Sequence, residues 1–464
     1  MLNGMIITIY FISMLAVGFM SSRRIRNITS FYVSDRSGSA LLISGSLLAT
    51  IVGASQTLGL AGLGYTKGLV GAWWMLVGSL GLFVLTFWLA GKVRETEVYT
   101  LPELLKRQYG SETIKIIASL LISIAWLGVI AAQIVAAGKI MMTLWPLHMS
   151  WSVIVMGVVF IFYTMLGGQY SVLKTDFIQF IIILVGVAAC MILSVNHAGG
   201  LSVPMQKLPA SYFSFPVSEQ FSWHDLLLFI LFVGSVYLVG PDMYSRILSA
   251  KSPSTAKRAT FLSALVMVPL AFVITMIGVS ARAIFPGISA ENAFPWVVMN
   301  VLPDGVNGFV VAALLAAVMS TAATCLLTTS TILVSDVLKP LWGERLTEKK
   351  MLSCSRIAVA IIGFFSIFIA LQAEGIISSL LLAYTVYSGG LIIPVLFGFY
   401  SRRLALHPLG AIASVVVGGF LALYLKLTSS EDILVMCFPL CIVILLAGSW
   451  IGKRIESSRQ RVKF

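Results

Sequence analysis

Between Ser46 and Tyr65 the chain reads SLLATIVGASQTLGLAGLGY, and no other stretch limits the possible folds as tightly. It lies inside an apolar segment long enough to cross a bilayer, yet its middle is Gly53-Ala54-Ser55-Gln56-Thr57, followed by Gly59, Gly62 and Gly64. Hydrocarbon cannot satisfy the donors and acceptors of Ser, Gln and Thr, and glycine loosens the helix backbone itself. Two readings fit. The stretch is a small-residue face on which helices pack, or it is a helix interrupted near the membrane midplane, with freed backbone groups and polar side chains lining a binding site.

Composition places the segment in context. The chain is 59% hydrophobic and only 11% charged, about half the charge fraction of a soluble domain, so a polytopic membrane protein is expected. The five cysteines form no CxxC pair and mostly sit in apolar segments, which suits buried free thiols rather than a disulfide framework or a metal site. The four histidines fall near span ends, and no HExxH, P-loop or GxSxG pattern occurs. An intramembrane protease, an ATP-driven pump and a redox carrier are therefore disfavoured, and no enzymatic activity is expected.

Apolar segments of about 20 residues are read as spanning helices. About thirteen are expected, near 3–21, 41–62, 68–91, 114–145, 150–168, 173–195, 223–248, 257–285, 305–335, 353–372, 375–400, 407–427 and 431–452. With the amino terminus outside, 26 of the 31 Lys and Arg residues fall in the loops or span ends that face inward, leaving Lys67, Lys139, Lys207, Arg282 and Lys426 on the outer side. Dropping one span would invert that sorting downstream. The net charge of +13 thus marks a cytoplasmic face, not a nucleic-acid partner. The expected placement is an integral plasma membrane protein with its carboxy terminus in the cytoplasm.

A second span also breaks its own pattern. Gly240-Pro241 sits inside 223–248, where proline removes a donor and disfavours helix just before it. Asp242 and Arg246 follow at i, i+4, a spacing that allows an ion pair near the inner end. A kinked structural helix and a second broken helix both remain open. If spans two to six and seven to eleven form two sets, each begins with a broken helix and the sets run in opposite directions. The expected organisation is an extra helix and loop over 1–40, a first repeat over 41–199 and an outer loop over 200–222. A second repeat covers 223–403, and two peripheral helices with a basic tail cover 404–464.

In the ninth span Ala317, Ser320, Thr321 and Thr324 share one helical face. Their hydroxyls, set against freed carbonyls of span two, would offer neutral oxygen ligands to a monovalent cation. The bland alternative is that they bond to carbonyls of their own helix. Asp176, near the inner end of span six, is either an interfacial cap beside Lys174 or a group on an ion exit path. Lys139 in span four is expected to snorkel outward, with no assigned role.

Taken together, five segments resemble the sodium:solute symporter family over about residues 1–403. They are Phe31-Tyr32-Val33-Ser34-Asp35-Arg36, Gln56 to Tyr65, Thr100-Leu101-Pro102-Glu103-Leu104-Leu105, Gly167-Gly168 with Thr175 to Gln179, and Ala316 to Thr321. The resemblance implies an all-α, LeuT-type five-plus-five inverted repeat with a broken first helix in each repeat. It further implies sodium-coupled import of a small solute by alternating access. A proton-coupled carrier of the same fold, a cation channel and a non-transporting membrane sensor are the alternatives.

By the same resemblance, sodium would be held by the carbonyls of Ala49, Val52 and Ala317 and the hydroxyls of Ser320 and Thr321. Asp176 and Thr324 match a second ion site or exit path, but Ala323 stands where a further hydroxyl is needed. The solute-binding positions are Gln56, Trp73, Trp74, Met75, Val233, Val236 and Tyr237, with Tyr384, Thr385, Tyr387 and Ser388 as candidates to complete the pocket. Sugar-carrying members place Glu and Asn where this chain has Trp74/Met75 and Val233, which argues against a sugar. An amino acid or organic acid is expected. The expected partners are sodium, the solute and lipid, in a monomer with no obligate protein partner.

Overall fold

The structure is a computed structural model that describes residues 2–23, 25, 27–143, 145, 147–373, 375–428 and 431–461. Of the inner-face basic residues, Arg24, Arg26 and Lys463 lie outside the described residues. The described chain is almost wholly helical, with isolated bridges and no strand. Its principal helices are α1 (Leu2–Ser22), α2 (Ala40–Ile51), α3 (Leu60–Lys67), α4 (Trp73–Val84), α5 (Glu112–Met142), α6 (Met149–Leu166) and α7 (Gln169–His197). They continue as α8 (Ser235–Val239), α9 (Pro241–Ser249), α10 (Pro253–Ile284), α11 (Val306–Ile332), α12 (Glu348–Gln372), α13 (Ile376–Gly398), α14 (Pro408–Leu427) and α15 (Cys437–Arg461).

Among the described residues, twelve helical runs are long and apolar enough to cross a membrane, and the chain is an integral membrane protein. One of those runs, Ser55–Glu95, is two passages joined by a tight turn. Contacts with α10 show the reversal: Ser44 of α2 meets Ser263 and Gly64 of α3 lies against the Thr275 carbonyl, ascending α10, whereas Ser79 of α4 donates to Ala264 and Thr86 to Thr260, descending it. Paired with the short apolar helix α2, the first half of that run completes a thirteenth crossing.

Both expected breaks are present. The first helix stops at Val52 (φ −78°, ψ 53°), and a π turn over Ser55–Gly59 leads into α3. Gly240 is extended (φ −59°, ψ 133°), and Pro241 opens α9 as its first residue. Each follows from local chemistry: a Cβ on Gly53 would strike the Thr321 hydroxyl and one on Gly240 the Val236 carbonyl, and proline at a helix start gives up a donor that would be unpaired there anyway. A π turn, Phe229–Gly234, also precedes α8, so both broken helices carry an irregular turn of the kind often found at functional sites.

Small residues bring the broken helices and their partners close. A Cβ on Gly278 of α10 would strike the Ala61 backbone, so this helix pair depends on glycine at its contact. The sequence of α11 is buried on every side, whereas α1 keeps most of its surface open. That contrast places α11 at the centre of the bundle and α1 at its rim.

The basic loops gather at one end. Arg36 donates to the Glu97 carbonyl, Arg94 to Ala250 and Arg107 to Thr96, while Lys92 lies over the Tyr400 ring. Lys67, Lys139 and Arg282 sit at the opposite end, against Phe221, Glu291 and Tyr65 respectively. Lys139 is therefore half of an ion pair and not a free snorkelling group. Arg246 is the exception to the sorting, since it is fully buried instead of lying in a solvated loop.

Candidate functional site

At the first break the helix backbone frees donors and carbonyls, and neighbouring helices meet them. Ala54 N–H donates to Gln133 Oε1 of α5 at 2.8 Å. Thr57 donates from both its amide and its hydroxyl to the Gly53 carbonyl, at 3.0 and 2.9 Å. Without such partners, each buried group would cost about 1–3 kcal/mol.

The hydroxyl face of α11 packs on this break. Ser320 Oγ lies 2.8 Å from the Ala49 carbonyl and 3.0 Å from that of Ala317. Thr321 Oγ1 lies 2.7 Å from the Thr50 carbonyl and 3.0 Å from that of Ala317. Both readings of this face are thus realised at once: each hydroxyl reaches its own helix and the broken one. Ala49, Val52, Ala317 and Ser320 are inaccessible to solvent. Thr50, which the sequence did not single out, supplies the carbonyl that Thr321 meets. The result is a compact set of neutral oxygens, two hydroxyls and three carbonyls, suited to a monovalent cation that needs oxygen ligands but little opposing charge.

One helical turn toward the basic end, charge enters. Arg246 of α9 donates from Nη2 to Asp176 Oδ2 of α7 at 3.0 Å, and from Nε to Ser46 Oγ of α2 at 3.2 Å. Its Nη2 also meets Thr324 Oγ1 of α11, and Ser46 donates to Asp176 at 2.6 Å. Arg246 and Asp176 are both completely buried. Two expectations are corrected here. Among the described residues no ion pair joins Asp242 to Arg246, because the guanidinium is turned toward α7. Nor is Asp176 an interfacial cap beside Lys174, whose ammonium lies over the Tyr170 ring instead.

A narrow cavity of about 20 Å³ adjoins the break. Roughly 10–15 Å³ by the same measure holds one water, so its walls must part to admit a solute. Thr50, Gly53, Ser55 and Thr321 form one side, Trp126, Val129 and Gln133 of α5 another. Val236 and Tyr237 of α8, Asp242 and Met243 of α9, Cys325 of α11 and Tyr384 of α13 complete it.

Of the expected solute positions, Val236 and Tyr237 are on this wall. Gln56 stands just behind, donating from Nε2 to Tyr237 Oη at 2.7 Å, with its Oε1 unpaired. Trp74, Met75 and Val233 are buried in the surrounding packing, Trp74 edge-on to Phe229. Trp73 faces away: its indole N–H donates to the Pro216 carbonyl at 2.8 Å and its ring stacks on Phe215. Tyr387 and Ser388 instead tie α13 to the second broken helix through the Val239 and Phe232 carbonyls. Missed altogether was α5, although Gln133, a lone amide in an apolar helix, was a readable signal.

This geometry has relatives. The profile of the sodium:solute symporter family matches residues 31–418. The chain is 27% identical to sodium/proline symporter 2 of Staphylococcus saprophyticus, over 90% of this chain and 84% of that one. It is 24% identical to the sodium/glucose cotransporter of Vibrio parahaemolyticus, covering 91% and 84%. Against sodium/glucose cotransporter 4 of Danio rerio the identity is 27%, over 78% of this chain, which spans only 61% of that relative's length. Among solved structures, a substrate-bound outward-open Na+-coupled sialic acid symporter superposes with a TM-score of 0.78 at 17% identity, covering 93% of this chain and 98% of that one. MhsT in complex with L-phenylalanine gives 0.59 at 15% identity, covering 88% and 99%. These neighbours share the LeuT-type inverted repeat, and the two broken helices described above are its first helices. The chain belongs to the sodium:solute symporter family.

Proposed function

We propose that the protein is a sodium-coupled secondary importer of a small organic solute, an amino acid or organic acid, working by alternating access. The carrying observation is the meeting of Ser320 and Thr321 with the carbonyls of the broken helix, beside a cavity whose wall includes Thr321. In this reading Ala49, Thr50 and Ala317 supply carbonyls, Ser320 and Thr321 supply hydroxyls, and Val52 stands next to the break. Sodium replaces the hydrogen bonds that now join these groups. Ordering this backbone also orders the cavity, so filling one site favours filling the other. The printed substrates of relatives include proline, glucose and sialic acid. Trp74, Met75 and Val233 in this chain favour a non-sugar solute.

We infer one sodium per cycle. Asp176 and Thr324 are engaged by the Arg246 guanidinium, which already supplies the positive charge a second ion would bring. A smaller cavity between this lock and the basic end, touched by Gln169, Ser245, Thr328 and Thr331, suits a release route. The basic end is taken as cytoplasmic, with the amino terminus outside and the monomer as the working unit.

The test is uptake into proteoliposomes by the Ser320→Ala/Thr321→Ala double variant. The sodium concentration for half-maximal uptake should rise about tenfold or more, since two charge-assisted contacts are lost, with expression near normal. Unchanged sodium dependence would sink the assignment.

A further inference from the structure

We propose that Asp242 and the aromatic rings around it recognise a cationic amino group, so that the solute is an amine-bearing molecule, most simply a zwitterionic amino acid. The proposal rests on the symporter reading above and narrows it, because a bare organic acid or a sugar would not answer the chemistry of this wall.

Asp242 is the second residue of α9, just past the Gly240 break, and is half-buried on the wall of the cavity. Its Oδ1 has no hydrogen-bond partner. Among the described residues no Lys or Arg stands within ion-pair distance of it. The natural candidate, Arg246, spends its donors on Asp176, Ser46, Ser245 and Thr324. The charge of Arg246 and the backbone amides of Asp242 and Met243 offset the burial of this carboxylate only in part, and a buried carboxylate with no side chain paired to it is costly. A ligand carrying positive charge would remove that cost on binding.

The rest of the wall has the same preference. Trp126, Tyr237 and Tyr384 line the cavity with Asp242, and Tyr387 braces Trp126 edge-on at a ring separation of 4.8 Å. Aromatic faces attract ammonium groups through their quadrupoles, most strongly where water is excluded. Among the described residues no Lys, Arg or His lines this cavity. A solute with a carboxylate and no amine would therefore meet Asp242 with nothing to offset the repulsion. An acidic residue in the first turn of a helix also favours the helix dipole. That explains an acid at this position but not its place on the cavity wall among rings.

The experiment follows thermal unfolding of the purified full-length protein with matched solutes in sodium. One set is L-proline, pyrrolidine and cyclopentanecarboxylate. A second is L-phenylalanine, phenethylamine and 3-phenylpropionate, with glucose as the neutral member. At least one amine-bearing solute should raise the unfolding temperature, while its deaminated counterpart and glucose do not. Asp242→Asn should weaken that solute's apparent affinity at least tenfold and leave the shift caused by sodium alone intact. Stabilisation by a deaminated acid or by glucose equal to that of the amines overturns the proposal, as does silence of the whole panel. So does an Asp242→Asn protein that binds the amine normally, or one that has lost the sodium shift, which would make Asp242 an ion ligand. If Asp242→Asn does not fold, Asp242→Ser is measured in its place, and the panel on the unaltered protein decides by itself. Repeating the panel in potassium separates the two readings. Amine preference that persists equally without sodium defeats sodium coupling and leaves the role of Asp242 standing.

Discussion

Arg246 and Asp176, 70 positions apart, form a fully buried ion pair with Nη2 to Oδ2 at 3.0 Å. With Ser46 and Thr324 it joins α9 to α2, α7 and α11, so the inner halves of both broken helices are held to the centre of the bundle.

Breaking this pair from one side should be severe. Arg246→Met strands a buried carboxylate and should cost about 3–5 kcal/mol of stability. The double variant Arg246→Met/Asp176→Asn should lose clearly less than the sum of the two single losses. Unfolding midpoints in detergent measure the cycle, and strictly additive losses would mean that the two groups do not interact.

Gln133 should matter far more than a lone amide in an apolar helix suggests. Gln133→Leu leaves the Ala54 N–H unpaired and should destabilise by about 1–3 kcal/mol, whereas Gln133→Glu keeps an acceptor. Gly53→Ala attacks the same corner, since its Cβ would strike the Thr321 hydroxyl and approach Gln133 Oε1 to 2.9 Å. Both Gln133→Leu and Gly53→Ala should raise the sodium requirement for uptake, whereas a change in solute affinity alone would place the sodium set elsewhere.

Gln56 bears on the solute side. Gln56→Ala removes the 2.7 Å bond to Tyr237, whose ring lines the cavity. Solute affinity should fall roughly tenfold and sodium affinity should change less. The reverse order, read from competition and sodium titrations, would move the pocket away from Tyr237.

At the other end of the bundle, Glu291 accepts from the Ile376 amide at 2.9 Å and pairs with Lys139, joining a loop to the starts or ends of two helices. Both side chains are a quarter exposed, so the pair contributes at most about 1 kcal/mol. Glu291→Gln should shift the protein modestly toward an open outer side. Alkylation of Cys325, which lines the cavity, should then quicken up to about fivefold, followed by mass spectrometry of its peptide. A rate equal to that of the unaltered protein would mean that the Glu291–Lys139 pair has no part in opening the outer side.

Much of this was legible in the residues. Runs of apolar side chains bounded by charge dictate the crossings, because lipid admits little else than helices. Gly53 and Gly240-Pro241 flag the breaks, because glycine weakens a helix and proline disfavours it just before itself, although Pro269, Pro394 and Gly278 sit inside unbroken helices. Spacing along α11 also placed Ser320, Thr321 and Thr324 on one face. What tertiary structure alone decided is what each face meets. Helical spacing offered Asp242 to Arg246, yet packing delivered Asp176 from a distant helix and left Asp242 facing the cavity. The same packing brought Trp126 and Gln133 to the site and turned Trp73 to the outer loop. A sequence records which side chains share a surface. Only the assembled bundle, where a buried charge must find a partner or go without, determines which surfaces come together.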